Sequence, residues 1–163
     1  MRAILAATLA CGAIDLAYNV VAWVLIMHRT TTLRLLQYIA SGVMGKAAFE
    51  GGLKAGTVGL VLHYVVAAAW SAVFVLAYTR SAAVRQRPIP AGLALGVVAF
   101  VVMNFIVVPS SGVPAQTMAF SWPLVMNFVA HLLFVGLPIA LTTRMIYSST
   151  ALAAPPAAPM SEA

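Results

Sequence analysis

Long apolar runs separated by short polar stretches dominate the chain. They predict four membrane-spanning helices, over about Ala3 to Met27, Ala55 to Tyr78, Ala91 to Val108 and Ser121 to Thr143. Each run is near the ~20 residues that an α-helix needs to cross roughly 30 Å of hydrocarbon. The stops have local causes. His28 and Arg29 end the first run, Gly51 and Gly52 precede the second, and Pro88 and Pro90 precede the third, where missing N–H groups cost nothing. Ser121 is placed to cap the fourth helix, with Trp122 at the interface, and Pro138 is expected to kink it.

Between the first two spans the pattern changes. Leu33, Leu36, Ala40, Val43 and Ala47 share one helical face, while Arg34, Gln37 and Ser41 share another. This amphipathic spacing predicts a short helix lying at the membrane surface, with a re-entrant half-helix packed in the bundle as the alternative. The expected architecture is an all-α integral membrane protein: one four-helix transmembrane domain over residues 1–147, a short amphipathic interfacial helix between helices 1 and 2, and a disordered Ala/Pro-rich tail over 148–163.

Composition supports this. Of 163 residues, 63% are hydrophobic and 7% charged, against about 25% charged in a soluble domain. So few charges cannot coat a soluble core, whereas a lipid-facing exterior needs none. The formal net charge is +6, but the Lys and Arg lie mostly between the apolar runs. They read as topology and headgroup contacts, and the absence of a basic patch interleaved with aromatics argues against nucleic acid. Cys11 is the only cysteine, so no intramolecular disulfide forms. The residues before it make a poor lipobox, and the apolar run continues past it, so a retained first helix is expected.

Arg2, Arg80, Arg85, Arg87 and Arg144 fall on one side of the membrane and Arg29, Arg34, Lys46 and Lys54 on the other. The compact Arg80–Arg87 loop and the uncharged loop from 110 to 119 tip the balance, predicting both termini in the cytoplasm. Gly42-Val43-Met44-Gly45-Lys46 is only a fragment of a phosphate loop, since Ala47 stands where Ser or Thr belongs.

Asp15 is the only acidic residue in any predicted span. An ionised Asp at mid-helix costs about 2.5–3.5 kcal/mol on the insertion scale, so it should face the bundle or be protonated. Asn19 follows one turn later. His63 and Ser71 lie on one face of the second span. Asn104 shares a face with Gly92 and Gly96 in the third, and Asn127 and His131 are one turn apart in the fourth. At 1.5 Å per residue, the polar groups of the four helices fall within a layer of ~10 Å, from the outer interface to the midplane. Such a layer suits a cavity opening outward.

Three functions are compatible with these residues. The first is binding or conduction of a proton or small solute, with Asp15 titrating and the histidines relaying. The second is a structural or accessory subunit whose Asn, His and Ser side chains only join helices, as a homo-oligomer or within a larger complex. The third is a haem or metal protein, using His63 and His131 as axial ligands or both with Asp15 around a metal. No spacing motif supports the third, no cofactor is expected, and an enzyme is the less favoured class.

The stretch Leu62-His63-Tyr64 through Ser71 and Tyr78, the later Met103-Asn104 and Pro109, and the closing Asn127–Pro138 with His131 between resemble the YagU-like small bacterial inner-membrane proteins. The resemblance spans about residues 8–145. It implies a four-helix inner-membrane protein and assigns no active site.

Overall fold

The computed structural model describes residues 1–114 and 121–152, the side chains only as far as 149. Among these residues the chain is helical with no strand. Four helices are long and apolar enough to span a membrane. They are α1 (Arg2–Ile26), α3 (Gly52–Arg80), α5 (Pro88–Val107) and α6, which begins at Trp122 and continues to Leu152. α2 (Thr32–Met44) lies between α1 and α3, and the short α4 (Ala82–Gln86) between α3 and α5. The protein is an all-α four-span bundle.

The predicted ends fall close to the observed ones, with two differences. The fourth helix runs on past Arg144 to Leu152, so the first residues of the predicted tail are helical; the rest of that tail, and residues 115–119 of the loop from 110 to 119, lie outside the described residues. Ser121 occupies the N-cap position in extended conformation, but its side chain makes no capping bond. Thr31 does cap: its hydroxyl accepts from the Arg34 N–H and starts α2. At the far end of α3, the Arg85 guanidinium donates to the Tyr78 and Thr79 carbonyls and closes the helix C-terminus.

Many large apolar side chains point outward, among them Leu5, Leu25, Leu53, Val65 and Ile106. In water such a surface would aggregate; against lipid it is the ordinary exterior. The interior is built from small residues. A Cβ on Gly92 would stand 2.5 Å from the Ala140 side chain, one on Gly96 2.5 Å from the His131 carbonyl, and one on Gly136 would meet the Gly92 carbonyl. α5 and α6 therefore cross with their backbones in contact, as small residues four apart permit. Around that crossing Cys11, Ala67, Phe74, Leu95, Val135 and Ile139 form the core.

α2 differs from its predicted aspect. It packs along the first turns of α3, where Gly59 faces the Leu36 carbonyl and a Cβ on Gly56 would stand 2.8 Å from Leu33. Gln37 and Ser41, assigned from spacing to the polar face, are buried, whereas Val43, assigned to the apolar face, is exposed. The reason is local. Gly56 and Gly59 leave a groove for the backbone of α2, and the Gln37 amide donates to the Gly52 carbonyl at 3.3 Å while the Ser41 hydroxyl donates to Tyr38. The Gly112 N–H donates to the Gly42 carbonyl at 2.9 Å, which fastens the other end of α2 to the turn after α5.

Three of the four spans contain π-helix: Val20–Ile26 at the end of α1 that leads to α2, Met103–Val107 at the end of α5, and His131–Gly136 in the middle of α6. The wider turns show in bonds from Met27 N–H to the Ala22 carbonyl and from Val108 N–H to the Met103 carbonyl. In α6 the π turns stand directly before Pro138, whose missing N–H and bulky ring disturb the regular ladder.

Candidate binding cavity

Each π segment begins beside a polar residue that bonds back onto its own helix. Asn19 Nδ2 donates to the Asp15 carbonyl at 2.9 Å, Asn104 Nδ2 to the Phe100 carbonyl at 2.9 Å, and His131 Nδ1 to the Asn127 carbonyl at 2.8 Å. A carbonyl can only accept, so His131 carries its proton on Nδ1 in this contact. α5 and α6 are joined side chain to side chain, with Asn127 Nδ2 donating to Asn104 Oδ1 at 2.9 Å. Tyr18 connects α1 to α6, stacking on Phe134 with ring centroids 4.4 Å apart and directing its hydroxyl at the Met126 carbonyl.

Between one end of these helices and α2 lies a cavity of about 570 Å³. Asn19, Asn104 and Asn127, from three different spans, line its floor with Tyr18. Trp23, Leu35, Ile39, Phe49 and Leu124 supply apolar wall. Arg29 and Arg34 stand on its lining where α1 turns into α2. His28 makes that turn with φ at +49°, a left-handed conformation that closes the end of α1. Arg34 is held against the wall: Nη1 donates to the Phe49 carbonyl at 3.1 Å, and the guanidinium carbon lies 4.6 Å from the centre of the Phe49 ring.

The polar residues picked out from sequence thus separate into three groups. Asn19, Asn104 and Asn127 line the cavity. Asp15, His63 and His131 lie deeper, with both histidines within electrostatic range of the Asp15 carboxyl. His63 Nε2 donates to the Gly12 carbonyl of α1 at 2.9 Å, and its ring stands edge-on to Tyr64. Ser71, on the same face as His63, belongs to neither group. It is two turns, or ~12 Å, further along α3, fully buried, and its hydroxyl has no partner.

Among the described residues no three His, Cys, Asp or Glu side chains gather closely enough to hold a metal ion. Asp15, His63 and His131 are near enough to influence one another and too spread to share a metal. The three therefore do not form the shared metal site of the third reading; each histidine donates one ring N–H to a backbone carbonyl, a bond that leaves its other ring nitrogen free to act elsewhere.

Spacing alone missed Tyr18, Trp23, Arg29, Arg34 and Tyr38 as cavity lining. Arg34 was legible only as the charged side of an amphipathic helix, and nothing in the pattern marked that helix as a wall of the cavity. Comparison with protein families, with curated proteins and with solved structures found no match. The class stands on the fold and site: a four-span helical membrane bundle with a polar-floored cavity at one end.

Proposed function

We propose that this protein binds a small solute in the cavity between α1, α2, α5 and α6. The observation that carries this is the floor: three carboxamides from three spans, meeting in a space of about 570 Å³. That volume is within the range of ~300–1,000 Å³ of small-molecule sites, which pair apolar walls with a few convergent polar groups. The reading also places the chain in a bacterial inner membrane with both termini cytoplasmic, so the cavity faces outward, as the Lys and Arg balance and the YagU-like resemblance suggest. The test is equilibrium binding of a panel of small neutral, zwitterionic and charged solutes to the protein in phosphatidylcholine nanodiscs. Saturable binding of a panel member, weakened in both Asn104→Leu and Asn127→Leu, supports the proposal. No saturable binding of any member overturns it.

One observation favours a second reading, in which the polar residues only join helices. Asn19, Asn104, Asn127, His63 and His131 each already donate to an acceptor of the protein itself. A bound solute would then use only the spare capacity of these groups. The deeper Asp15, His63 and His131 would serve proton movement in the first reading and stability in the second.

A further inference from the structure

We propose that the cavity selects an anionic amphiphile, a molecule with a phosphate or carboxylate head and an apolar body; this rests on the cavity being a binding site. Its lining includes two arginines, Arg29 and Arg34, both exposed at the cavity's edge, and no Asp or Glu. Two cations on one small concave surface repel each other and call for an anion to offset them. Arg34 is pre-positioned: one N–H is spent on the Phe49 carbonyl and its face rests on the Phe49 ring, which leaves further N–H donors of a planar fork suited to oxyanions.

The rest of the cavity fixes the shape of the ligand. Apart from the arginines and the amides the lining is mostly apolar, with Trp23, Leu35, Ile39, Phe49 and Leu124, and includes the hydroxyl-bearing Thr30, Tyr38 and Ser121. A bare inorganic anion would leave this apolar wall uncovered, and a plain hydrocarbon would leave the arginines without a counter-charge. An anionic head on an apolar body satisfies both, and the floor amides of Asn104 and Asn127 take any polar group at the far end. Two sources share this chemistry, a free organic anion and the headgroup of an anionic lipid.

The experiment uses the full chain in phosphatidylcholine nanodiscs, with Trp70→Phe and Trp122→Phe so that fluorescence reports Trp23 alone. The probes are hexyl phosphate and the uncharged hexyl glucoside. Hexyl phosphate is expected to change Trp23 emission saturably and to bind at least about tenfold more tightly than hexyl glucoside, the difference that charge-assisted hydrogen bonds supply. Arg29→Gln with Arg34→Gln should remove that difference and leave glucoside binding unchanged, which also shows that the variant is folded. Nanodiscs containing phosphatidylglycerol decide the source. Competition with hexyl phosphate identifies a lipid headgroup, and its absence a free anion; either upholds the proposal. Equal binding of both probes, insensitive to the arginine changes, overturns the anion preference while leaving the cavity a binding site. No response to either probe or to phosphatidylglycerol overturns both.

Discussion

Asn127 donates from Nδ2 to Oδ1 of Asn104 at 2.9 Å, and Asn104 passes its own Nδ2–H to the Phe100 carbonyl. The chain of bonds fixes which way the Asn104 amide points and ties α6 to α5 at the floor of the cavity. In a membrane such a side-chain bond is worth about 0.6 kcal/mol on average and about 1.7 at most. Asn127→Leu should therefore lower stability by an amount in that range, and the Asn104→Leu, Asn127→Leu cycle should show a coupling of similar size. Unfolding in mixed micelles measures both. A coupling of zero would mean that the two amides do not hold each other.

The contact between α5 and α6 should matter far more. Gly136 faces the Gly92 carbonyl and has the Gly96 nitrogen 2.9 Å from where its Cβ would stand. These are backbone atoms of a packed helix and cannot swing aside. Gly136→Leu should cost at least the ~1–3 kcal/mol usual for overpacking, and should separate the two helices. Gly42→Ala is the control. Its nearest neighbour to a new Cβ is the Ser111 side chain at 3.9 Å, and alanine is favoured over glycine by up to about 1 kcal/mol in a helix. It should be neutral or stabilising in the same assay.

How far the sequence discloses this molecule depends on which kind of pattern each part leaves. The four spans were legible because an apolar run of the right length has few other fates, and the small-residue face of Gly92 and Gly96 marked the packed side of α5. The aspect of α2 was not. Periodicity assigned Gln37 and Ser41 to the polar side, yet both are buried, because the contact is set by glycines in α3 and by single hydrogen bonds that spacing does not encode. The polar layer was half legible. Residue depth placed Asn19, Asn104 and Asn127 in one ~10 Å layer with His63, Asp15 and His131, and of these the three amides line the cavity. A shared helix face put Ser71 with the cluster, although two turns of α3 separate it from His63. The π turns have no reliable signature in the chain.

Orientation is testable by labelling. The turn after α5 carries the exposed Ser110, whereas Gly112 is packed against the Ser41 carbonyl and is a poor place for a new side chain. Ser110→Cys should react from outside the cell with an impermeant thiol reagent. The native Cys11, 2% exposed in the core, should add little background. A reporter fused after Ala163 should be active only in a cytoplasmic assay. Labelling of Ser110→Cys only after the membrane is permeabilised would reverse the topology and turn the cavity inward.

Asp15 separates the two functional readings. It is the only acidic residue in α1 and lies within electrostatic range of His63 and His131. An ionised Asp at that depth costs about 2.5–3.5 kcal/mol to insert, so Asp15→Asn, similar in shape and always neutral, should keep the fold and leave thermal stability equal or higher. Asp15→Leu should also be tolerated. Asn19 also bonds to the Asp15 carboxyl, which the substitution removes, but it keeps its bond to the Asp15 backbone carbonyl, while His63 bonds to Gly12 and His131 to Asn127. No amide or imidazole would then be orphaned, and an orphan is what makes such a loss expensive. Function should respond differently. If Asp15 passes protons with the two histidines, Asp15→Asn in liposomes should abolish flux driven by a pH gradient, because no other carboxyl in the spans can replace it. Flux equal to that of the unaltered protein in Asp15→Asn would end the proton-relay reading and leave Asp15 the structural residue of the second reading.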